Sequence, residues 1–515
     1  MLLLVWFATA VLGAAETPQR GGTLRLPFQN EFATLDPVVS TTTDDWAMQR
    51  FIFRGLFDYD EQNQLILEQA QDWSRSADRK TYTFHLRPGI RFGNGREVEA
   101  EDYVFAFQRV LDPKSASQSQ SYLLGIRGAE EFAHGKVATV AGLRTPDPHT
   151  LVIELSEPSF VFRFKLALPF TFPVPREVVR KSQRDFREHL VGSGPYLLKS
   201  HATGLHWRLV RNPHYHGADG GPDEVDVVIG GDRYLHTMMV ERDEADLSEL
   251  NPQDFLRLRR DDGSRELVQT LPYANVDYIF MNTEMKPFDN VLVRRAVNHA
   301  LDRERLAKLQ PPASAANGIV PASMPWTNPD LHPYEHSVER ARALLREAGY
   351  ADGFETDFWY MREYLGRIPE AIQEELRLVG IKVNLQPVTA TALEGKVGTR
   401  RQAPMGLWGW VVDFPDASSF FDPTLNGAKI AETQGLNYSF YNSRAVNRLI
   451  VQADLATDPA ERTQMLHRTE ALVMEDAPWA PVVHDERAFL RSRRLHGLKA
   501  HPIWMYRLDA LWVDP

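Results

Sequence analysis

Two aspartates in an aromatic stretch are the residues of this sequence whose types and spacing most suggest chemistry. Asp413 and Asp416 lie in the segment 408–416 (WGWVVDFPD), among three aromatic residues and two valines. A pair of carboxylates is what a glycosidase uses as acid and base. With only two residues between them, one of them Pro415, the two acids are better suited to separate tasks, one binding and one capping the next turn. The other interpretation is that both cap turns.

An apolar setting gives Asp413 a possible binding role. A buried carboxylate without a partner is costly, and a ligand ammonium group with further hydrogen bonds offsets that cost. Asp413 is therefore a candidate for binding a cationic group.

Other common kinds of active site are not indicated. The sequence contains no cysteine, which excludes disulfides, thiolate catalysis, zinc–cysteine sites and iron–sulfur clusters. No serine lies in a Gly-x-Ser-x-Gly context, and neither phosphate-binding glycine motif is present. His214 and His216 lack a carboxylate at helical spacing, so we predict a loop rather than a metal site. The net charge of -11 argues against nucleic-acid binding, and we expect no cofactor.

The N-terminus has the pattern of an export signal. Residues 2–12 are nearly all apolar, and the small residues 13–15 (GAA) follow them. The stretch is shorter than the roughly 20 residues that span a bilayer. A buried N-terminal segment is the alternative, and no Lys or Arg precedes the apolar run. We predict a signal peptide over 1–15, an exported protein without a lipid-bearing cysteine, and no membrane insertion after cleavage.

Hydrophobic periodicity predicts an α/β protein. Strands are expected at 23–26, 81–87 and 150–155, with one helix over 100–111, so the region before residue 185 is predicted to be strands with few helices. Later, Asp289 or Asn290 can cap a helix to Leu301, and Ser337 can cap a helix over 338–348. A strand over 354–360, a helix ending at Gly380 and a strand over 381–386 indicate a βαβ unit on a partly parallel sheet.

Several segments, in order, resemble the family 5 extracellular solute-binding proteins, the oligopeptide-, dipeptide- and nickel-binding components of ABC importers. The resemblance covers nearly the whole mature chain, and oligopeptide-type members are the most similar. The segments that carry it are 21–24 (GGTL), 34–37 (TLDP), 92–95 (FGNG), 100–104 (AEDYV), 192–196 (GSGPY), 211–215 (RNPHY), 282–283 (NT) and 287–296 (PFDNVLVRRA), with 111–123, 155–158 and 173–175 for the oligopeptide type.

The resemblance implies a periplasmic-binding-protein type II-like clamp of two lobes with an inserted domain. Domain I is then expected in three parts (16–49, 191–273 and 483–515), domain II as the insertion 50–190, and domain III as 274–482. The chain would cross between lobes at Pro272-Tyr273 and near Pro478 to Val483.

The resemblance also implies a binding site. Asp413 matches the aspartate that holds the N-terminal amine of a peptide, and the backbone before it, with Trp408, Gly409 and Trp410, would pair with an extended ligand. Arg400 and Arg362 are candidates for the ligand carboxylate, with a solvated surface role as the alternative for each. Tyr122 of domain II could close over the ligand or be an ordinary packed tyrosine.

The implied function is non-enzymatic. A monomeric periplasmic protein would bind a short peptide between its lobes, close, and deliver it to the ABC permease. The alternatives are another solute, such as a nickel chelate, an oligosaccharide or a murein peptide; a secreted hydrolase using Asp413 and Asp416; and a peptide-binding chaperone or receptor without a permease.

Overall fold

A computed structural model describes residues 19–514 except 33, 40–41, 61, 116, 218–219, 325, 332–333, 363–364, 502 and 508–509. The predicted signal peptide lies outside the described residues. The predicted α/β fold class is confirmed, since helices and strands of both pairing senses build several sheets. Within the described ranges, no helix has the length and apolar character needed to cross a bilayer.

The first part of the chain contains more helices than predicted. Its elements are β1 Thr23–Phe28, α1 Thr43–Ile52, β2 Phe57–Tyr59, β3 Leu65–Leu67, β4 Ala70–Arg75, β5 Thr81–Leu86, α2 Ala100–Leu111, α3 Ala129–Ala133, β6 Leu143–Asp147, β7 Thr150–Glu154, α4 Phe162–Lys165, α5 Arg176–Lys181 and α6 Gln183–Glu188. The prediction of few helices is wrong here. Helix α1 is buried over most of its surface and α4 has only four residues, so neither shows the one-sided periodicity of a surface helix.

A four-stranded antiparallel sheet, in the order β4-β5-β7-β6, forms the centre of this region. The predicted alternation in β5 is confirmed, because Tyr82, Phe84 and Leu86 are buried. Helix α2 has the predicted bounds and packs against this sheet.

The next part of the chain adds strands to the sheet that contains the N-terminal strand β1. Its elements are β8 Tyr196–Ala202, β9 His206–Arg211, β10 Glu224–Ile229, α7 Arg233–Glu241, β11 Leu247–Glu249, α8 Pro252–Arg260 and β12 Val268–Pro272. Strand β1 pairs in parallel with β10 and completes the sheet β1-β10-β9-β8. The segment between β1 and β8 is thus an insertion with its own sheet.

A six-stranded mixed sheet, in the order β14-β18-β13-β17-β15-β16, organises the following part. Its elements are β13 Asn275–Met281, α9 Val291–Ala300, α10 Arg303–Ala307, β14 Ser314–Ala315, α11 Val338–Glu347, β15 Phe354–Met361, α12 Ile368–Leu378, β16 Ile381–Val388, α13 Ala390–Val397, β17 Met405–Val411, α14 Ser418–Leu425, α15 Arg444–Leu455, α16 Pro459–Asp476 and β18 Trp479–His484. The predicted βαβ unit is confirmed as β15, α12 and β16. Asn290 and Ser337 cap α9 and α11.

The chain crosses between two sheets at two adjacent points. Strand β19 (Glu486–Arg491) pairs with β12 and β11 in one sheet, whereas β18 pairs with β13 in the other. The crossings are therefore at 273–274 and at Asp485, immediately before β13 and β19 begin. The second lies two residues beyond the predicted stretch because β18 continues to His484. The short strands β20 Leu495–His496, β21 Ala500–His501, β22 Met505–Tyr506 and β23 Trp512–Val513 follow.

Candidate functional site

Strand β17 leads to the site and has an unpaired edge. Along its whole length it pairs with β13, from Met405 opposite Met281 to Val411 opposite Asn275. On its other side it pairs with β15 only at Met405 and Gly406. In the described part of the chain, no strand covers the outer edge of residues 407–411.

Hydrogen bonds at the two ends of the β13–β17 ladder show which residues face that edge. The amide of Val412 donates to the carbonyl of Ala274 (3.0 Å), and the amide of Asn282 donates to the carbonyl of Pro404 (2.8 Å). Because bonded pairs alternate along an antiparallel ladder, the even-numbered residues of β17 bond to β13. The N–H and C=O groups of Leu407, Gly409 and Val411 therefore point to the unpaired edge.

Trp408 and Trp410 lie on one face of β17, and both are partly buried. The Trp410 indole donates from Nε1 to the carbonyl of Ser419 (2.8 Å), and the Trp408 ring meets Tyr438 edge-on at 5.2 Å between centroids. Both tryptophans also pack against the large apolar core that the inserted region shares with the six-stranded sheet. These contacts anchor the segment that carries the unpaired edge.

Asp413 follows the end of β17 and meets a residue of the inserted region. The hydroxyl of Tyr122, in the 3-10 turn Gln120–Tyr122, donates to Asp413 Oδ2 at 2.7 Å. Burial raises the pKa of Asp413 to about 6, against the lowering effects of that hydrogen bond, of the Lys165 charge and of the Ser419 hydroxyl. At neutral pH the group is thus mostly an anion held in a poorly hydrated place.

Asp416 has a different task from Asp413. Both of its carboxylate oxygens accept from Arg462, at 2.8 and 2.7 Å, and both side chains are buried. Asp416 Oδ1 also accepts from the amide and the hydroxyl of Ser418, at the start of α14. The two carboxylates therefore do not share one reaction centre: Asp416 neutralises a buried arginine and caps a turn, as the separate-task interpretation predicted.

Lys165 is a neighbouring charge that sequence analysis did not identify. It ends α4 in the inserted region, and its ammonium lies 5.9 Å from the centre of the Tyr122 ring. Burial lowers its pKa, while the charges of Asp454, Asp422 and Asp413 counteract part of that effect. The local sequence FVFRFK contains no signal for this role, because the residues that surround Lys165 come from about 250 to 290 positions further along the chain.

Asp454, at the end of α15, fastens α4 to the six-stranded part. Its Oδ1 accepts from the Ser159 hydroxyl at 2.9 Å and from the amides of Phe160 and Val161 at 3.0 and 3.2 Å. The guanidinium of Arg462 covers the Phe160 ring at 4.2 Å. These contacts hold the segment that leads into α4 against the six-stranded part.

The two predicted arginines have different surroundings. Arg400 donates to both carboxylate oxygens of Glu284 (2.7 and 2.6 Å) and to Glu432 (2.6 Å). Arg362 is exposed just after β15, three positions beyond Trp359, the last β15 residue that pairs with β17. Gly409 is likewise three positions beyond the last paired residue of its strand, Gly406. Arg362 thus lies beside the gap between β15 and β17. The guanidinium of Arg400, in contrast, is already bound by the carboxylates of Glu284 and Glu432.

A polar cavity of about 190 Å³ lies on the other side of the crossings, at the end of β1. Asp44, Glu249 and Arg487 line part of it. The Arg487 guanidinium covers the Tyr273 ring at 4.0 Å. Tyr273 precedes Ala274, whose carbonyl accepts from the amide of Val412, the residue before Asp413.

The histidine pair has ordinary surroundings. His216 Nε2 lies 3.8 Å from Glu68, and burial beside Arg54 and Arg87 lowers its pKa to about 4. Within the described residues, no three His, Asp or Glu side chains are grouped so that they could hold a metal ion.

Comparisons with known proteins identify the family and the fold. The family model described as bacterial extracellular solute-binding proteins, family 5 (middle), matches residues 64–432. The chain is similar to the glutathione-binding protein GsiB of Escherichia coli O1:K1, with 28% identity over 92% of this chain and 91% of that protein. It is also 28% identical to GsiB of Salmonella typhi, over 93% of this chain and 92% of that one.

Solved structures show the same fold. The clavulanic acid biosynthesis oligopeptide-binding protein 2 superposes with a TM-score of 0.89, at 26% identity over 96% of both chains. The murein tripeptide-binding protein MppA of Escherichia coli gives 0.81, at 24% identity over 96% of this chain and 98% of that chain. The predicted binding-protein clamp fold is confirmed by these matches.

Proposed function

The chain belongs to the bacterial extracellular solute-binding proteins of family 5, and from that membership we propose that it binds short peptides between its lobes for an ABC importer. In this proposal it is a monomeric, non-enzymatic periplasmic protein whose predicted leader is cleaved. Its partner is the importer's membrane permease.

One observation carries the peptide assignment: the desolvated carboxylate of Asp413 stands two residues beyond an unpaired strand edge. An extended peptide presents an ammonium group at one end and a backbone ladder behind it. The ammonium pairs with Asp413, while the peptide backbone bonds to Gly409 and its neighbours by strand addition. Neither a sugar nor a metal chelate combines an ammonium group for Asp413 with a peptide backbone for the strand edge.

The relatives favour the same class of ligand. The names of the similar proteins refer to glutathione, which is a tripeptide, to oligopeptides and to a murein tripeptide. Backbone pairing is insensitive to side chains, which suits one site to several peptides. A murein peptide remains a variant of this proposal.

Delivery of the bound ligand requires a movement of the domains. We propose that the lobes rotate about the crossings at 273–274 and Asp485, and that Tyr122 meets Asp413 as the inserted region approaches. The domain boundaries 16–49, 50–190, 191–273, 274–482 and 483–515 are part of this proposal. The closed form then docks on the permease, whose ATPase supplies the energy.

The hydrolase alternative needs two free carboxylates. Arg462 binds both oxygens of Asp416, and that carboxylate is buried, so it is not free to contact a substrate. Turnover of a glycoside or a peptide by the purified protein would restore the alternative.

Native mass spectrometry of the purified chain, followed by calorimetry with the ligand found, tests the proposal. We expect a co-purified peptide, and Asp413→Ala should weaken its binding roughly 30-fold to a few thousandfold, the equivalent of about 2–5 kcal/mol. Asp422→Ala, which removes a more exposed acid nearby, is the matched control and should bind normally. Unchanged affinity in Asp413→Ala would contradict the amine-binding role.

A further inference from the structure

The ammonium of Lys165 is a partly buried charge that no carboxylate neutralises directly. Among the described residues, none places a carboxylate oxygen within 4.0 Å of it, the distance that defines an ion pair. Its acidic neighbours are engaged elsewhere: Asp454 accepts three hydrogen bonds at 2.9–3.2 Å, and Asp422 accepts from Asn426 at 2.9 Å. The remaining neighbour is Asp413, whose Oδ2 accepts from Tyr122.

Tyr122 joins the two charges into one site. Its hydroxyl reaches Asp413, and its ring lies 5.9 Å below the Lys165 ammonium. The anion and the cation therefore lie beside the same tyrosine side chain. Both side chains keep a fraction of their surface exposed, so a ligand can reach them.

The backbone that carries Lys165 is anchored to the six-stranded part. It is the last residue of α4, and Asp454 holds the residues at the start of that helix. Phe164, the residue before Lys165, is buried, and its ring stacks parallel to that of Phe414 at 6.5 Å. Because its backbone is anchored, Lys165 loses less conformational freedom when its ammonium binds a ligand group in the closed form.

The N-terminal amine of an ordinary peptide binds only one of the two charges, the carboxylate of Asp413. It neutralises Asp413 but leaves the partly buried Lys165 without a partner, and an unpaired charge withdrawn from water is costly. A ligand head that carries both an ammonium and a carboxylate satisfies both charges and brings no net charge into the site.

We propose that Lys165 binds a carboxylate on the first residue of the ligand, so that the site prefers peptides whose first residue is acidic as well as N-terminally free. Two kinds of peptide have this chemistry. A γ-linked glutamyl peptide carries both groups on one carbon, and an α-linked N-terminal glutamate carries the carboxylate on its side chain. The proposal rests on the peptide-binding function proposed above and on the role of Asp413.

Calorimetry of the full mature chain with three tripeptides tests this preference. The peptides γ-Glu-Ala-Gly, α-Glu-Ala-Gly and Gln-Ala-Gly differ only in the linkage or charge of the first residue. We expect at least one glutamyl peptide to bind roughly tenfold to a hundredfold more tightly than the glutamine peptide, the range for a hydrogen bond to a charged group. Which glutamyl peptide binds better identifies the carboxylate that Lys165 takes.

A pair of lysine variants isolates the residue responsible. Lys165→Met keeps the length of the side chain without its charge, and it should reduce the discrimination among the three peptides to less than about twofold. Lys429→Met is the matched control, because Lys429 lies near the same acids but pairs with Asp422 at 3.8 Å and is half exposed. This control should keep the full discrimination. Thermal melting of both variants checks that each is folded.

The possible results separate the two proposals. Equal binding of all three peptides by the unmodified chain, or discrimination that survives in Lys165→Met, overturns the role of Lys165 and leaves peptide binding intact. Failure of every tripeptide and of every co-purified peptide to bind overturns the peptide proposal itself.

Discussion

The hydroxyl of Tyr122 donates a 2.7 Å hydrogen bond to Asp413 Oδ2, across 291 positions of sequence and between the inserted region and the six-stranded part. The phenol is a dependable donor, because burial and the charge of Asp413 raise its own pKa well above the ordinary value. The bond favours the ionised form of Asp413, which is the form that holds an ammonium group.

Binding should therefore depend on pH in a way that Tyr122 controls. Since the pKa of Asp413 is about 6, affinity for a peptide should fall as the pH drops through 6 and the carboxylate takes up a proton. In Tyr122→Phe the ionised form loses a hydrogen bond, so the midpoint should move to higher pH. Calorimetric dissociation constants between pH 5 and 8 measure this, and an unmoved midpoint would contradict it.

The same carboxylate should make the ligand-free protein less stable. Its pKa is raised from 3.8 to about 6 in the folded state, so at pH 7 its ionised form opposes folding by up to about 3 kcal/mol. Asp413→Asn should raise the free energy of unfolding at pH 7 by up to that amount while weakening peptide binding.

The sign of this effect of Asp413 on stability can be checked by varying the pH. As the pH falls from about 6 towards 4, wild-type Asp413 protonates and the wild-type protein gains stability relative to the variant. The difference between the two denaturant midpoints should therefore shrink over that range. A difference that grows on acidification would be inconsistent with a raised pKa.

Asp416 should behave in the opposite way. Removing this carboxylate leaves Arg462 buried and unpaired, so Asp416→Ala should lower the free energy of unfolding by about 3–5 kcal/mol. The double variant Asp416→Ala/Arg462→Met should recover much of that loss. Urea unfolding of the two variants measures the difference, and a neutral effect of Asp416→Ala would show that the ion pair is not needed.

N-methylated peptides should reveal the unpaired edge of β17. If a peptide pairs with Leu407, Gly409 and Val411, then alternate amides of the ligand donate to this strand. Methylating one donating amide should weaken binding roughly tenfold, whereas methylating the next amide should have little effect. A series of singly methylated tetrapeptides, compared by calorimetry, gives the pattern, and losses without alternation would exclude strand addition.

The two arginines should differ in their effect on the far end of the ligand. Arg362 has an exposed side chain beside the gap between β15 and β17, whereas Arg400 is held by Glu284 and Glu432. Arg362→Ala should reduce the preference for a peptide acid over the corresponding peptide amide, and Arg400→Ala should not. Paired titrations of acid and amide decide between them; loss of the preference only in Arg400→Ala would reverse the assignment.

The sequence by itself determined much of the local structure. Helix α2 and strands β5 and β16 begin at the predicted residues, because alternation and capping are encoded by neighbours along the chain. The order of short segments also led to the correct family, and the aromatic setting of Asp413 marked it as unusual. Helix α4 was missed, because four residues cannot show a helical period.

Only the tertiary structure decided what surrounds Asp413. It showed that Asp416 pairs with Arg462, that Arg400 binds two protein carboxylates and that Lys165 lies near the site, all through contacts between residues 32 to about 290 positions apart. Such contacts depend on how separate sheets are placed, and no local pattern encodes that placement. Burial then changes the chemistry, since the same carboxylate has an ordinary pKa in water and a pKa of about 6 where the folded chain excludes water from it.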